Sequence, residues 1–466
     1  MANSALFRLL FPNAPLDRRT EGDPPQRPEF GLRSDAMRAV KPGLDSPSLI
    51  SSYAGSIDRI LFCFPNRMID DPTLVPGYRS VISALRVGTR FIVVHNHSGR
   101  TTVEGWFAEA GHPPENLELV PMPDFVQLTD WAEDAYVALT DVSDDSGYLM
   151  EPWSFLRSGD ALIADAVEEH TDLTASSAPV IFQGGNCLIG DDFWLMGADY
   201  FADTLLLLRE GRPPVRVPPG MDEQEFARSL YSTYVDAERE LVLVGLPRPI
   251  ALREWVAEHR DGTFLLHSTA DGAGTYQPIF HIDMFLTLIG RNDDGAFEVL
   301  VGDPRLADER LGSSSPFALA EVYDAIAQSL QQRGLAVSRN PLVHRQTAGR
   351  TFPLAELQQL APESMLPALA DLARAGATAN TPVELRNWHH ITWNNCLVEN
   401  SEEHGRHVYL PTFGHGENAD LAPLDQDMQA LWQGRGFEVH PLADFNDFAA
   451  RQGVVHCIKK YIARGE

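Results

Sequence analysis

Near the far end of the chain, Gly453-Val454-Val455-His456-Cys457 offers a thiolate nucleophile to a site whose other members lie well upstream. Those members are Trp131-Ala132-Glu133-Asp134, Phe182-Gln183-Gly184-Gly185-Asn186 and Phe280-His281-Ile282-Asp283. Two carboxylates to hold a planar cation, a sulfur to attack it and an imidazole to move protons are the groups that substitution at a guanidinium carbon requires. A guanidinium presents a fork of five N–H donors, so one carboxylate leaves donors unpaired. Asp134 and Asp283 can grip separate edges. Cys457 would form a tetrahedral adduct and then a stable thiouronium. His281 would protonate the departing ammonia and then activate water, two tasks for an imidazole titrating near neutrality.

Each piece alone has a plainer reading. An isolated cysteine is more often a small buried hydrophobe than a nucleophile; Cys396, in Asn394-Asn395-Cys396-Leu397, and Cys187 are assigned that packing role. His456 is expected to face away from Cys457's side, since neighbours in an extended strand face opposite sides. Gly184-Gly185 reads as a tight turn or as a point of close backbone approach, with Asn186 supplying polar contacts. His281 and Asp283, one residue apart, share a face of a strand and could be metal ligands. No partnered histidines stand at metal spacing and His389-His390 are adjacent, so the site is expected to hold no metal. Glu133 is assigned to the surface, where most acids of so acidic a chain belong.

The chain has 466 residues, 44% of them hydrophobic and 22% charged, enough for a large core. Its formal net charge of -28 argues against nucleic acid as a partner and favours a cationic substrate. Four widely spaced cysteines, Cys63, Cys187, Cys396 and Cys457, match neither a disulfide framework nor a paired zinc motif. The opening Ala5–Phe11 run is short and broken by Pro12, and no window nears twenty apolar residues, so a soluble cytoplasmic protein with no membrane partner is expected.

Residues 1–55, rich in proline, arginine and serine, read as an irregular arm, and an α/β catalytic domain is expected over 56–466. Its periodicity predicts strands at 57–65, 91–94, 117–120, 180–182, 193–196, 241–244, 263–266, 285–289 and 297–301. Predicted helices fall near 78–86, 102–110, 222–235 and 251–259. Residues 302–384 carry two longer helical patterns, 319–333 and 354–375, and read either as one blade with an enlarged helical part or as an inserted helical subdomain.

The order of these motifs resembles the guanidino-group-modifying (pentein) superfamily, which includes agmatine, arginine and peptidyl-arginine deiminases and amidinotransferases. The resemblance spans Ile57 to Cys457. It is clearest in Thr392-Trp393-Asn394-Asn395, Leu397–Asn400, Tyr409-Leu410-Pro411-Thr412-Phe413-Gly414 and Gly453–Cys457, which follow one another as in agmatine deiminases. It implies a five-bladed α/β propeller of ββαβ modules with the site on its axis, no cofactor, catalysis by Cys457, His281, Asp283 and Asp134, and substrate contacts from Asp134, Asp283, Trp131, Gln183, Asn186 and Asn395. Two positions depart from the pattern: Glu133 stands where agmatine deiminases usually have Arg, and Gln183 where Glu is common. On these departures the expected substrate is an arginine residue or arginine derivative, hydrolysed to a ureido product and ammonia. Agmatine deimination and amidino transfer are the alternatives within the superfamily; a guanidinium-binding protein without catalysis is the alternative outside enzymes.

Overall fold

The computed structural model describes residues 44–153, 159–211, 215–250, 255–268, 275–315, 318–346, 350–361, 365–386 and 388–465. Five sheets share one plan, an antiparallel strand pair followed by helix and a third strand parallel to the second. Val137–Asp141, Ser146–Glu151 and Thr174–Ser177 make one blade, with helix Ile163–His170 in the crossover. Cys187–Ile189, Phe193–Gly197 and Glu240–Val244 make the next. Leu286–Arg291, Phe297–Asp303 and Ala336–Gln346 make the third, to which Trp388–Thr392 adds an antiparallel edge. Leu397–Ser401, Gly405–Thr412 and Glu438–Asp444 make the fourth. The fifth is assembled from distant parts of the sequence: Lys459–Arg464 pairs antiparallel with Ile57–Phe64, which continues in parallel to Arg90–Asn96 and Leu117–Met122. The parallel connections need helices to cross over, which is why the helical and strand periods alternate along the chain.

First strands of neighbouring blades touch: Lys459–Arg464 meets Val137–Asp141, and Leu286–Arg291 meets both Cys187–Ile189 and Leu397–Ser401. The ring is closed by polar ties as well as packing. Gly55 bridges Asn400, and the backbone N–H of Ile57 donates to the buried Glu399 carboxylate. Arg464 lies 3.8 Å over the Tyr461 ring and donates to the carbonyls of Ser51, Ser52 and Val398. Its fixed fork of donors suits a junction at which several carbonyls meet.

Several elements differ from the sequence reading. The organised fold begins before Ile57: Pro47–Leu49 pairs antiparallel with Val137–Asp141; residues 1–43 of the expected arm lie outside the described residues. The helix expected over 251–259 is instead strand Trp255–Arg260, joined to Thr263–Ser268 by Asp261-Gly262, both at positive φ (50° and 81°). That two-residue turn matches the twist of a hairpin, a local signal stronger than the apolar spacing before it; residues 251–254 lie outside the described residues. The expected strand at Val180–Phe182 is irregular chain, because side chains satisfy its backbone: Thr204 Oγ1 accepts from Ile181 N and Tyr231 Oη donates to Ile181 O.

Residues 302–384 divide in two. Helices Pro304–Leu311 and Ala320–Gln332, with the strand Ala336–Gln346 that follows them, belong to the third blade. The remainder joins the 255–268 hairpin in an accessory four-stranded sheet, with Pro382–Arg386 parallel to Thr263–Ser268 and antiparallel to Arg350–Pro353. The 354–375 pattern gives two helices, Leu354–Leu360 and Leu366–Arg374. Ala361 precedes a proline and is extended, as that position favours. This sheet has a core of its own, including Leu266, Phe352, Leu357, Met365, Leu369 and Leu385. Among the described residues no helix is long and apolar enough to cross a membrane.

Candidate active site

One positional rule brings the site together: its side chains stand just before the first strands of successive blades. Asp134 precedes Val137, Gln183 and Gly185 precede Cys187, His281 and Asp283 precede Leu286, Asn395 precedes Leu397, and Cys457 precedes Lys459. Because those strands line the centre, the loops entering them meet at one end of the ring.

Gly185 marks the meeting point. A Cβ built there would lie 2.6 Å from His281 Nδ1, 3.0 Å from Asp134 Oδ1 and 3.3 Å from Asp283 Oδ2, so only glycine lets the three groups converge. Cys457 Sγ is 3.6 Å from Asp283 Oδ2. Asn395 holds the Cys457 segment by both ends of its amide: Oδ1 accepts from the N–H groups of His456 (2.8 Å) and Cys457 (3.2 Å), and Nδ2 donates to Cys457 Sγ (3.2 Å). Trp131 packs against the same segment, its six-membered ring so close to Gly453 that a Cβ there would clash with it. Asn186 instead anchors the histidine segment, its Oδ1 accepting from Ile282 N and from Gln277 Nε2, both at 3.0 Å.

His281 is fully buried; its Nε2 is 2.8 Å from Gln183 Oε1 and 3.2 Å from Tyr200 Oη, while Nδ1 is 3.5 Å from Asp134 Oδ1. The amide oxygen can only accept, so Nε2 carries the proton and Nδ1 presents its lone pair toward the acids. His281 and Asp283 are not on a strand: Ile282–Met284 is a single 3-10 turn. The two side chains still converge, by the turn rather than by strand alternation.

His456 faces the site, contrary to the alternation argument. Its Nδ1 is 2.9 Å from Asp283 Oδ2, because the segment is irregular until the strand starts at Lys459 and side-chain alternation does not apply. Glu133 is likewise not at the surface. It is buried and takes Lys459 Nζ on Oε2 (2.7 Å) and Lys460 Nζ on Oε1 (2.9 Å), while its N–H donates to the Cys457 carbonyl (3.1 Å). Two ammonium groups cannot be buried without an anion, and Glu133 thereby clamps the Cys457 segment to the Asp134 loop. The apolar flanks of Lys459-Lys460 were the available signal for this pairing; nothing in the sequence singles out Tyr200. Glu133→Gln is expected to lower stability by about 3–5 kcal/mol, as breaking a buried pair does, and urea unfolding would measure it. A loss under about 0.5 kcal/mol, the size of an ordinary surface change, would mean the lysines are solvated in solution.

Burial and like charge dominate the electrostatics where these groups converge. Burial, then the Asp134 and Glu133 carboxylates, push the Asp283 carboxyl well above the usual carboxylate range. Burial, then Asp283 and Asp134, push the Cys457 thiol well above its ordinary value. Burial, then the neighbouring lysines, push the His456 imidazole well below its ordinary value. Asp283 Oδ1 is buried with no hydrogen-bond partner, the kind of orphaned acceptor that a ligand's N–H satisfies. Cys396 and Cys187 are also buried, each pushed up to about 12 chiefly by burial, and both pack within the hydrophobic core.

No family model matches this sequence, and no curated protein does. Solved structures do match in fold. An agmatine deiminase of Enterococcus faecalis aligns with a TM-score of 0.52 at 12% identity, covering 90% of this chain and 98% of that one. The agmatine deiminase of C. jejuni aligns with a TM-score of 0.50 at 9% identity, covering 89% and 96%. A structural-genomics target provisionally named as an agmatine deiminase aligns with a TM-score of 0.52 at 16% identity, covering 90% and 98%. The chain has the pentein fold, the five-bladed α/β propeller expected from the motifs.

Proposed function

We propose that the protein is a cysteine-dependent hydrolase of guanidino groups, a deiminase acting on carbon–nitrogen bonds of linear amidines. The observation that carries the reading is the convergence of Asp134, Asp283 and His281 on the Gly185 backbone with the Cys457 thiol beside Asp283. A guanidinium placed there donates N–H groups to both acids and supplies the missing positive charge, which lowers the thiol's pKa where it must react.

The thiol proton passes to His281 and the thiolate adds to the guanidinium carbon, giving a neutral tetrahedral adduct. The imidazolium gives its proton to one nitrogen, the C–N bond breaks, and ammonia leaves a thiouronium on Cys457. His281 takes a proton from water as the oxygen adds to the same carbon. The C–S bond then breaks as His281 returns its proton to the sulfur, the ureido product gives its hydroxyl proton to solvent and departs, and the thiol is restored. Asn395 positions Cys457, and Gln183 with Tyr200 positions His281.

The preference for an arginine residue or arginine derivative over agmatine rested on Glu133 and Gln183. Glu133 faces Lys459 and Lys460 rather than the converging groups, so it gives no ground for choosing a substrate. Gln183 touches the histidine and bears on its protonation. Ammonia release from agmatine, free arginine and an arginyl peptide, together with mass spectrometry of Cys457 trapped during turnover, tests the proposal. A thiouronium-sized mass shift with ureido product supports it. Turnover with no shift at Cys457, or transfer of the amidino group to an added amine in place of hydrolysis, overturns it.

Gln183→Glu is a finer test. A carboxylate at 2.8 Å from Nε2 stabilises imidazolium, so the histidine's pKa rises and the histidine-linked limb of kcat/KM against pH is expected to move to higher pH by about one unit. An unmoved limb in an active, folded variant would mean that Gln183 does not set the protonation of His281.

A further inference from the structure

The fourth blade carries a cluster apart from these groups. In its parallel pair, His407 stands opposite Glu438 and Tyr409 opposite His440, so the four side chains share one face of Gly405–Thr412 and Glu438–Asp444. His407 Nδ1 and His440 Nε2 are 3.0 Å apart; Glu438 oxygens lie 3.8 Å from the first and 3.9 Å from the second. One ligand atom of each residue falls within 4.8 Å of the other two.

Both rings are held in place before anything binds. His407 Nε2 donates to the His404 carbonyl at 2.7 Å, which leaves Nδ1 with the lone pair facing the cluster. Tying the remote nitrogen to a carbonyl is how a metal-binding imidazole is oriented. The His440 ring lies flat on Tyr409, with centroids 4.9 Å apart at 17°, and Tyr409 Oη donates to the buried Glu399 at 2.6 Å. The Glu438 side chain is 68% exposed and can swing inward with little rearrangement.

We propose that His407, His440 and Glu438 form a binding site for a divalent first-row transition metal such as Zn2+, with water completing the coordination. Two imidazoles and a carboxylate suit zinc, cobalt or nickel; calcium and magnesium take oxygen ligands. Zinc–nitrogen bonds of about 2.0–2.1 Å in a tetrahedral site set the nitrogens roughly 3.3 Å apart, so this pair opens by only a few tenths of an ångström. The ion replaces the proton that two facing ring nitrogens otherwise share. It would pin Glu438–Asp444, whose one strand partner among the described residues is Gly405–Thr412.

The test is calorimetric titration of the chelator-treated full chain with Zn2+ and with Co2+. One equivalent is expected to bind, with the site lost in His407→Ala and His440→Ala and retained in Cys457→Ala. Bound Co2+ should show d–d absorption without a thiolate charge-transfer band. Glu438→Ala alters an exposed side chain and keeps the fold out of question; it should weaken affinity about tenfold or more. No binding to the unaltered chain, binding that disappears with Cys457, or binding untouched by His440→Ala and Glu438→Ala overturns the proposal.

Discussion

Cys457→Ser is expected to remove turnover, by on the order of 10⁴-fold or more as for loss of a nucleophile elsewhere, whereas Cys396→Ala should retain most of it. A serine hydroxyl in this position is a far weaker nucleophile near neutral pH and lies beside the same two carboxylates that already oppose ionisation of the thiol. Cys396 is as deeply buried and only one residue from Asn395, so both variants disturb the same neighbourhood. The difference between them therefore reports chemistry rather than folding. Cys396→Ala removes one sulfur from a core otherwise left intact, for which a cost of about 1 kcal/mol is ordinary. Equal losses in two folded variants would remove Cys457 from the role of nucleophile.

Much of this arrangement is legible in the sequence because short motifs mark the loops that enter the axial strands. Gln183-Gly184-Gly185-Asn186, His281-Ile282-Asp283, Asn394-Asn395 and Val455-His456-Cys457 each end one to three residues before a strand, so chemistry and fold share the same signal. What escaped depends on distance and on irregular backbone. Glu133 and Lys460 are 327 positions apart, and neither has a local feature that names the other. His456 was turned the wrong way by a strand rule applied three residues before the strand begins. The accessory sheet was missed for a related reason: its hairpin at 255–268 and its other two strands at 350–386 are separated by the whole third blade, and the Asp261-Gly262 turn outweighs an apolar pattern that suits a helix equally well.

Asp134→Asn and Asp283→Asn should each weaken binding of a guanidino ligand, measured on the Cys457→Ala background, by more than the roughly 1.5–3 kcal/mol of one charge-assisted hydrogen bond. A buried cation that loses a counter-charge costs about 3–5 kcal/mol, a fall in affinity of some hundredfold or more. For Asp283 the same substitution has the opposite effect on the empty protein. Its folded-state pKa is raised above the unfolded value by burial and by Asp134, so the group's contribution is fully present below the ordinary carboxyl pKa and is lost as pH rises through the folded value. An amide has no charge to desolvate, and it can still accept from His456 Nδ1, 2.9 Å away. Asp283→Asn should therefore melt higher than the parent without ligand, with the gap widening as pH rises from about 4 toward neutrality. A cationic ligand reverses the sign by favouring the carboxylate. Binding to the parent site should tighten as pH rises and release a proton, visible as a binding enthalpy that changes with the ionisation enthalpy of the buffer. Asp283→Asn should lose that dependence. Unchanged affinity in both variants would place the acids outside the guanidinium site, and a melting temperature that falls in Asp283→Asn at neutral pH would show that this carboxylate stabilises the empty protein.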